Sequence, residues 1–273
     1  MIGAALLFLQ LAAATPSSAQ GAPPASGGAI TRVSHTIIID AGHGGPDRGM
    51  IGAVVRGSRL IEKDVALSVS RRTADEMRRR GHKVVMTRTT DTLIALGDRG
   101  RIANQANGDL FMSIHVNAAN LNWKNATAAR GFETYFLAEA KTEDARRVAD
   151  MENASEQYET AVSVPKGNPL SFILNDMKQN EHLRESSLLA SIVQQRLARF
   201  HPGPDRGVKQ AGFKVLVTAF MPSVLVELGF GSNPAEAAFL RSDAEQARIA
   251  VALADAADAY LAEYDRRNGA ANP

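Results

Sequence analysis

Short apolar runs alternate along the chain with longer stretches in which apolar positions recur every three or four residues. The short runs predict strands at 36–40 (TIIID), 83–87 (KVVMT), 109–115 (DLFMSIH), 131–137 (GFETYFL), 214–218 (KVLVT) and 224–228 (VLVEL). The periodic stretches predict helices at 63–80, ended by Gly81, and at 97–107, 142–160, 170–180, 182–200 and 243–264. Within 182–200 the stripe Leu189, Ile192, Val193, Leu197 and Phe200 needs a partner surface. Such alternation predicts a single α/β domain over about 35–265, a mixed, mostly parallel sheet of about six strands with helices on both faces. No repeat of 20–50 residues interrupts it.

Both ends depart from this pattern. An apolar run from Ile2 to Ala14, broken only by Gln10, is followed by Pro16 and small residues up to Ala19. It has the form of the apolar and cleavage-site parts of a secretory signal (1–19), too short to span a bilayer as a mature helix, although the usual leading positive charges are missing. A retained anchor is the alternative. Residues 20–34 (QGAPPASGGAITRVS) read as a flexible linker, and 266–273 as a disordered tail.

Composition narrows the chemistry. The 273 residues are 45% hydrophobic and 22% charged, as in an ordinary soluble chain. A net charge of only +2, with no basic cluster interleaved with aromatics, gives nucleic-acid binding little support. There is no cysteine, so a metal would have to be held by His, Asp or Glu.

Three ionisable residues fall at the carboxyl ends of predicted strands, where open α/β sheets bind ligands. His43 follows the first strand in IIIDAGHGGPDRG, His115 ends the third, and Glu227 lies in the last, in SVLVELGFGSN. Singly, each has an ordinary explanation. His43 fits a turn and His115 a satisfied half-buried histidine, while Glu227 in an apolar strand calls for a salt bridge, since an unpaired charge there is costly. Glu62, opening a helix as LIEKDVA, could simply be favoured by the helix dipole. Together, two imidazoles and a carboxylate are a common ligand set for catalytic zinc with one position left for water. Glu227 would be the base that takes the proton of that water and passes it to a leaving amine. The helical HExxH motif is absent, so the ligands would converge from separate segments.

Six segments in order, IIIDAGHGGPDRGMIG, EKDVALSVSRR, VVMTRTTD, RGRIANQANGDLFMSIHVNAA, GFETYFL and PSVLVELGFGSNPAEAAFL, span most of 36–240. In these the chain resembles the zinc-dependent N-acetylmuramoyl-L-alanine amidases of the periplasmic cell-division type. The resemblance implies zinc ligands at His43, Glu62 and His115 and a catalytic carboxylate at Glu227. It also implies a periplasmic enzyme that cuts the amide between the lactyl group of N-acetylmuramic acid and the first L-Ala of the peptidoglycan stem peptide. The glycines after His43 then read as clearance for an approaching substrate. Extra residues around VVRGSR (54–59) mean that Glu62 is placed by its EKD context rather than by spacing; Glu76, on the same helix, is the poorer choice.

About 75 residues separate the strand at 131–137 from that at 214–218, more than a crossover needs. On a helical wheel for 142–160, Ala145, Val148 and Ala149 form one face with Glu152 in its middle and Glu156 close by. Division-associated relatives carry here a helix that plugs the site with a glutamate on zinc, and RRVADMENASEQY is similar to it. The resemblance implies Glu152 as an autoinhibitory fourth ligand, with Glu156 as second choice and a salt bridge to Arg146 or Arg147 as the plain alternative. It further implies an activator protein docking on the segment at about 140–200, through VSVPKGNPL (162–170) and residues such as Phe172, Ile173 and Leu174. Nothing in the sequence demands more than a monomer or stable membrane insertion of the mature chain. Two other readings use the same residues: a zinc peptidase acting on another wall amide, and a catalytically silent wall-binding regulator.

Overall fold

Apart from Met1, the computed structural model describes residues 33–120, 123–159 and 169–269, with the backbone alone over 169–181. The expected signal and most of the linker, the loop at 162–168 and residues 270–273 lie outside these, as do the side chains of Phe172, Ile173 and Leu174.

Six strands form one sheet in the order β4-β1-β5-β8-β6-β7. They are β1 (Thr36–Ala41), β4 (Lys83–Met86), β5 (Leu110–Asn117), β6 (Phe132–Leu137), β7 (Asp205–Ala211) and β8 (Ser223–Phe230). Only the β8–β6 pair is antiparallel, so the sheet is mixed and mostly parallel, as expected. Helices α1 (Glu62–Arg79), α4 (Pro169–Leu197), α6 (Pro234–Leu240) and α7 (Asp243–Arg267) cover one face. Helices α2 (Leu96–Gln105), α3 (Glu143–Asn153) and α5 (Lys214–Val217) cover the other.

The strand alternation sorts the side chains between these faces. Ile37, Ile39, Leu110, Met112, Ile114, Val224 and Val226 join the first core, and the stripe Leu189, Val193 and Leu197 of α4 lies buried there. Ile38, Phe111, Tyr135 and Leu225 face the second core. Towards the carboxyl ends of β1, β5 and β8 this second face turns polar: Asp40, Ser113, His115 and Glu227 continue its register, Glu133 joins them from the start of the antiparallel β6, and all five are buried.

Several expected elements are different. Residues 214–218 form not a strand but the single turn α5, which buries Val215 and Leu216 against the second core and leaves Val217 exposed. The sixth strand is β7, DRGVKQA, an edge strand that among the described residues pairs with β6 alone; it therefore carries no apolar run to betray it. The helices expected at 170–180 and 182–200 are one helix, α4. The helix expected over 142–160 ends at Asn153 and continues as a 3-10 turn over Ala154–Tyr158. VVRGSR is the tip of a hairpin of β2 (Ile51–Val55) and β3 (Ser58–Ile61), whose turn residues Arg56 and Gly57 take φ of 49° and 81°. Helix α7 reaches Arg267, two residues into the expected tail.

Candidate metal centre and active site

The loop after β1 is held by two buried arginines. Arg88 donates to the carbonyls of Ala41 and Gly42 at 2.9 and 2.7 Å, and Arg99 to those of Ala41 and His43 at 2.7 and 2.9 Å. Arg99 also pairs at 2.8 Å with Asp40, which accepts from Thr87 and Ser113. Fixing these carbonyls lets His43 sit at φ 60°, an uncommon conformation for a residue with a side chain. The glycines of this loop are packed closely by the protein itself. After His43, a Cβ on Gly45 would lie 2.9 Å from Leu93 N and one on Gly49 would lie 2.6 Å from both Glu62 Oε2 and His43 Cδ2; before it, one on Gly42 would lie 2.5 Å from His115 Cε1.

His43, Glu62, His115 and Glu152 come together from the β1 loop, the start of α1, β5 and the end of α3. One nitrogen or oxygen of each lies within 4.8 Å of the others, and all four residues are buried. His43 Nε2 is 3.1 Å from Glu62 Oε1 and 3.0 Å from Glu152 Oε2. His115 Nδ1 is 3.1 and 2.8 Å from the same two oxygens. Yet His43 Nε2 and both Glu152 oxygens lack a hydrogen bond among the described residues. Atoms that are close but aimed past one another suit a shared cation between them better than direct pairing. The donor set, two imidazoles and two carboxylates without sulfur, is one that zinc accepts.

The surroundings fix each ligand atom. Asp47 Oδ2 lies 2.8 Å from His43 Nδ1, which sets the ring so that Nε2 faces the cluster. Glu62 accepts from the Val116 amide with Oε1 and from the Met50 amide with Oε2, both at 2.8 Å. Burial alone would lower the histidine pKa values, but the carboxylates override it; His43 is raised well above its ordinary value, and His115, facing Glu152 and Glu62, is pushed up to about 10. Glu62 is held below the usual carboxylate range despite its burial, by His43 first and then His115.

Glu227 lies beside this quartet on β8, in register with His115 on one side and Glu133 on the other. It is fully buried, and neither carboxylate oxygen has a hydrogen bond among the described residues. Among the described residues no salt bridge explains it structurally. Burial, and then the Glu152 charge, push its pKa well above the usual carboxylate range. A carboxyl raised in that way holds its proton more readily than an exposed one, as a group that takes up and returns protons must.

Helix α3 closes the site. Ala145, Val148 and Ala149 bury its apolar face, Thr142 caps its start, and Glu152 points into the quartet. Arg146 pairs with Glu143 and Arg147 with Asp144, so neither arginine neutralises Glu152. At its far end Asn153 bonds Gly212 O and Lys214 N at 2.9 and 2.8 Å, Ser155 donates to Asp47 at 2.7 Å, and Glu159 accepts from the Leu96 amide at 2.7 Å. Glu156 does not reach the quartet; it is half-exposed and pairs with Lys214. The reason is the change to a 3-10 turn after Asn153. A step of four residues turns about 400° in an α-helix but about 480° at three residues per turn, which swings Glu156 off the Glu152 face. Glu76 lies near the other end of α1, bound to Arg79 and Arg80. Asp47, Ser155 and Glu133 carry no motif of their own. Only the four-residue spacing from His43 to Asp47 within one loop could have pointed to a ring-orienting partner.

The family model for N-acetylmuramoyl-L-alanine amidase matches residues 37–259, and the chain belongs to that family. Among curated relatives it is 33% identical to the N-acetylmuramoyl-L-alanine amidase AmiA of Escherichia coli over 233 residues, 85% of this chain and 78% of the relative. Among solved structures it is similar to an N-acetylmuramoyl-L-alanine amidase from Clostridium difficile 630, with TM-score 0.61 and 28% identity over 84% of this chain and 97% of that one. It is also similar to the CwlD amidase of Clostridioides difficile in complex with the GerS lipoprotein, with TM-score 0.59 and 25% identity over 84% of this chain and 99% of that one. Among the described residues no helix is long and apolar enough to cross a membrane.

Proposed function

We propose that the chain is a zinc-dependent N-acetylmuramoyl-L-alanine amidase of peptidoglycan, exported to the periplasm, and held inactive in this conformation by its own Glu152. The observation that carries the reading is the buried quartet of His43, Glu62, His115 and Glu152, in which His43 Nε2 and both Glu152 oxygens converge without a hydrogen bond among the described residues, beside Glu227, whose oxygens lack one too. His43, Glu62 and His115 would hold the zinc, and Glu152 would occupy the position that substrate and water need. Zinc bound there would polarise the amide carbonyl and lower the pKa of the attacking water.

The chain's own residues supply the rest. Glu227 takes the proton of the attacking water and delivers it to the leaving nitrogen of L-Ala, a role suited to its raised pKa. Asp47 keeps the His43 ring turned so that Nε2 faces the quartet. The bond cleaved joins the lactyl carbonyl of N-acetylmuramic acid to L-Ala, which leaves the peptide with a free amino terminus.

Activation requires α3 to withdraw. We assign that step to a partner protein docking on the segment at about 140–200, during splitting of the division septum. The solved complex of CwlD with GerS supports partner binding as a property available to this fold. The domain limits follow the same reading: a removable signal at 1–19, a linker at 20–34 and a catalytic domain at 35–265.

The test is mass spectrometry of purified sacculi digested by the zinc-loaded chain with Glu152→Ala. Stem peptides beginning with a free L-Ala are expected. Fragments cut at a cross-link would move the chain to a wall peptidase, and no fragments at all would leave it a silent binder.

A further inference from the structure

A row of charged side chains runs from the carboxyl ends of β5 and β8 across the neighbouring β6 and β7, which run the opposite way: His115 on β5, Glu227 on β8, Glu133 on β6, then Arg206 and Lys209 on β7. His115 is in register with Glu227, Glu227 with Glu133, and Tyr135, two residues beyond Glu133, with Lys209. The proposed reaction uses only the first two. Glu133 is fully buried and accepts from Arg206 Nε, from the Tyr135 hydroxyl and, at 2.8 Å, from Lys209 Nζ. Arg206 also lies over the Phe230 ring at 5.0 Å, and Lys209 over the Tyr135 ring at 5.9 Å. Every one of these partners stands on the sheet, so the two cations keep their places whether or not α3 is docked.

One partner does not belong to the sheet. Asp144, in the first turn of α3, accepts from Arg206 Nη2 at 3.2 Å and from Lys209 Nζ at 3.4 Å. Arg206 and Lys209 bring two positive charges; Glu133 supplies one negative charge and Asp144 the other. Arg147, which also pairs with Asp144 at 3.1 Å, is on α3 and leaves with it. Withdrawal of α3 therefore strips one negative charge from a pair of cations that are already 27% and 20% exposed. The pair lies two strand spacings from Glu227, roughly 10 Å. A peptide advancing at about 3.4 Å per residue covers that distance by its second or third residue.

We propose that Arg206 and Lys209 form a subsite for a carboxylate on the second or third residue of the stem peptide, and that Asp144 fills it as an internal mimic while α3 is docked. The inference rests on the amidase reading above. Helix α3 then imitates substrate at two points, with Glu152 in the quartet and Asp144 in the anion subsite. A flexible lysine and a fork-shaped guanidinium, both pre-oriented, suit an incoming carboxylate.

The test uses the full chain carrying Glu152→Ala, loaded with zinc, and a soluble N-acetylmuramoyl tripeptide with free carboxylates on its second and third residues. Two analogues have one or the other carboxylate amidated. Amidating the recognised carboxylate should raise KM about tenfold with kcat held within about twofold, as expected for one lost charge-assisted bond. The analogue that shows this rise identifies the residue. Lys209→Met should raise KM for the free acid and largely abolish the difference between acid and amide, and Lys209→Arg should restore it. Equal KM values for all three substrates would overturn the subsite, and that comparison needs no variant of the pair itself. Lys209→Met losing the same factor on acid and amide would overturn it too, since only general damage does that. Failure to cleave any of the three with zinc bound would remove the amidase reading, and the subsite with it.

Discussion

Replacing Glu152 by alanine should turn the resting protein into an active one. Glu152 Oε2 lies 3.0 Å from His43 Nε2 and 2.8 Å from His115 Nδ1, inside a cluster closed to water. Removing one member of a buried charged cluster costs the state that contains it about 3 kcal/mol. Here that state is the docked one, so at about 1.4 kcal/mol per tenfold the open-to-closed ratio rises about 150-fold. A resting ratio of about one to a hundred would become about three to two, and the rate would rise about 60-fold. The gain stays finite because Asp144, Asn153, Ser155 and Glu159 still hold α3 and the turn after it. The assay is release of soluble fragments from dye-labelled sacculi, with zinc content measured on the same samples. A variant rate within twofold of the parent at equal zinc occupancy would refute autoinhibition by Glu152.

Other outcomes follow from the same structure. Glu227→Gln in the Glu152→Ala background should lower kcat by about 10²-fold or more while zinc content, by elemental analysis, is unchanged; a fall in zinc would make Glu227 a ligand instead. Asp40→Asn breaks the fully buried pair with Arg99, and should cost about 3–5 kcal/mol and lower Tm by about 6–20 °C in a thermal melt. Stripping zinc should lower Tm, and zinc should rebind with release of protons because the metal-free histidines hold them. Since Glu152 and Glu62 push His115 up to about 10 from an ordinary 6.5, its protonation should stabilise the metal-free fold fully below 6.5, and that contribution should fade as pH rises towards 10. Zinc affinity should therefore climb with pH over that window; calorimetry in buffers of different ionisation enthalpy would register the protons, and a pH-independent affinity would count against the site.

The sequence was most legible where burial leaves few options. Strands β1, β5, β6 and β8 occupy the sheet interior and must be apolar on both faces, so His43, His115 and Glu227 stood out against them. Glu152 was legible for a related reason, as a carboxylate centred on the apolar face of Ala145, Val148 and Ala149. Reading failed where tertiary context decides. KVLVT has the residues of a strand but packs as a helical turn against the second core, while DRGVKQA pairs at an edge where solvent tolerates charge. The α-to-3-10 change after Asn153, which takes Glu156 out of the quartet, depends on the docking of Asn153 and Ser155 rather than on local propensity. Glu133, Arg206 and Lys209 are ordinary charges in sequence; the strand order is what brings them into line with His115 and Glu227.

The claim on which the rest depends is that four side chains close on one zinc ion in the resting protein. X-ray diffraction recorded on either side of the zinc absorption edge, from crystals of the zinc-loaded full chain, tests it directly. The account expects one anomalous peak per chain, bonded to His43 Nε2, Glu62, His115 Nδ1 and Glu152, with Glu227 beside it but outside the coordination shell. A protein that takes up no zinc, or a peak that lacks His43 and His115, would contradict it.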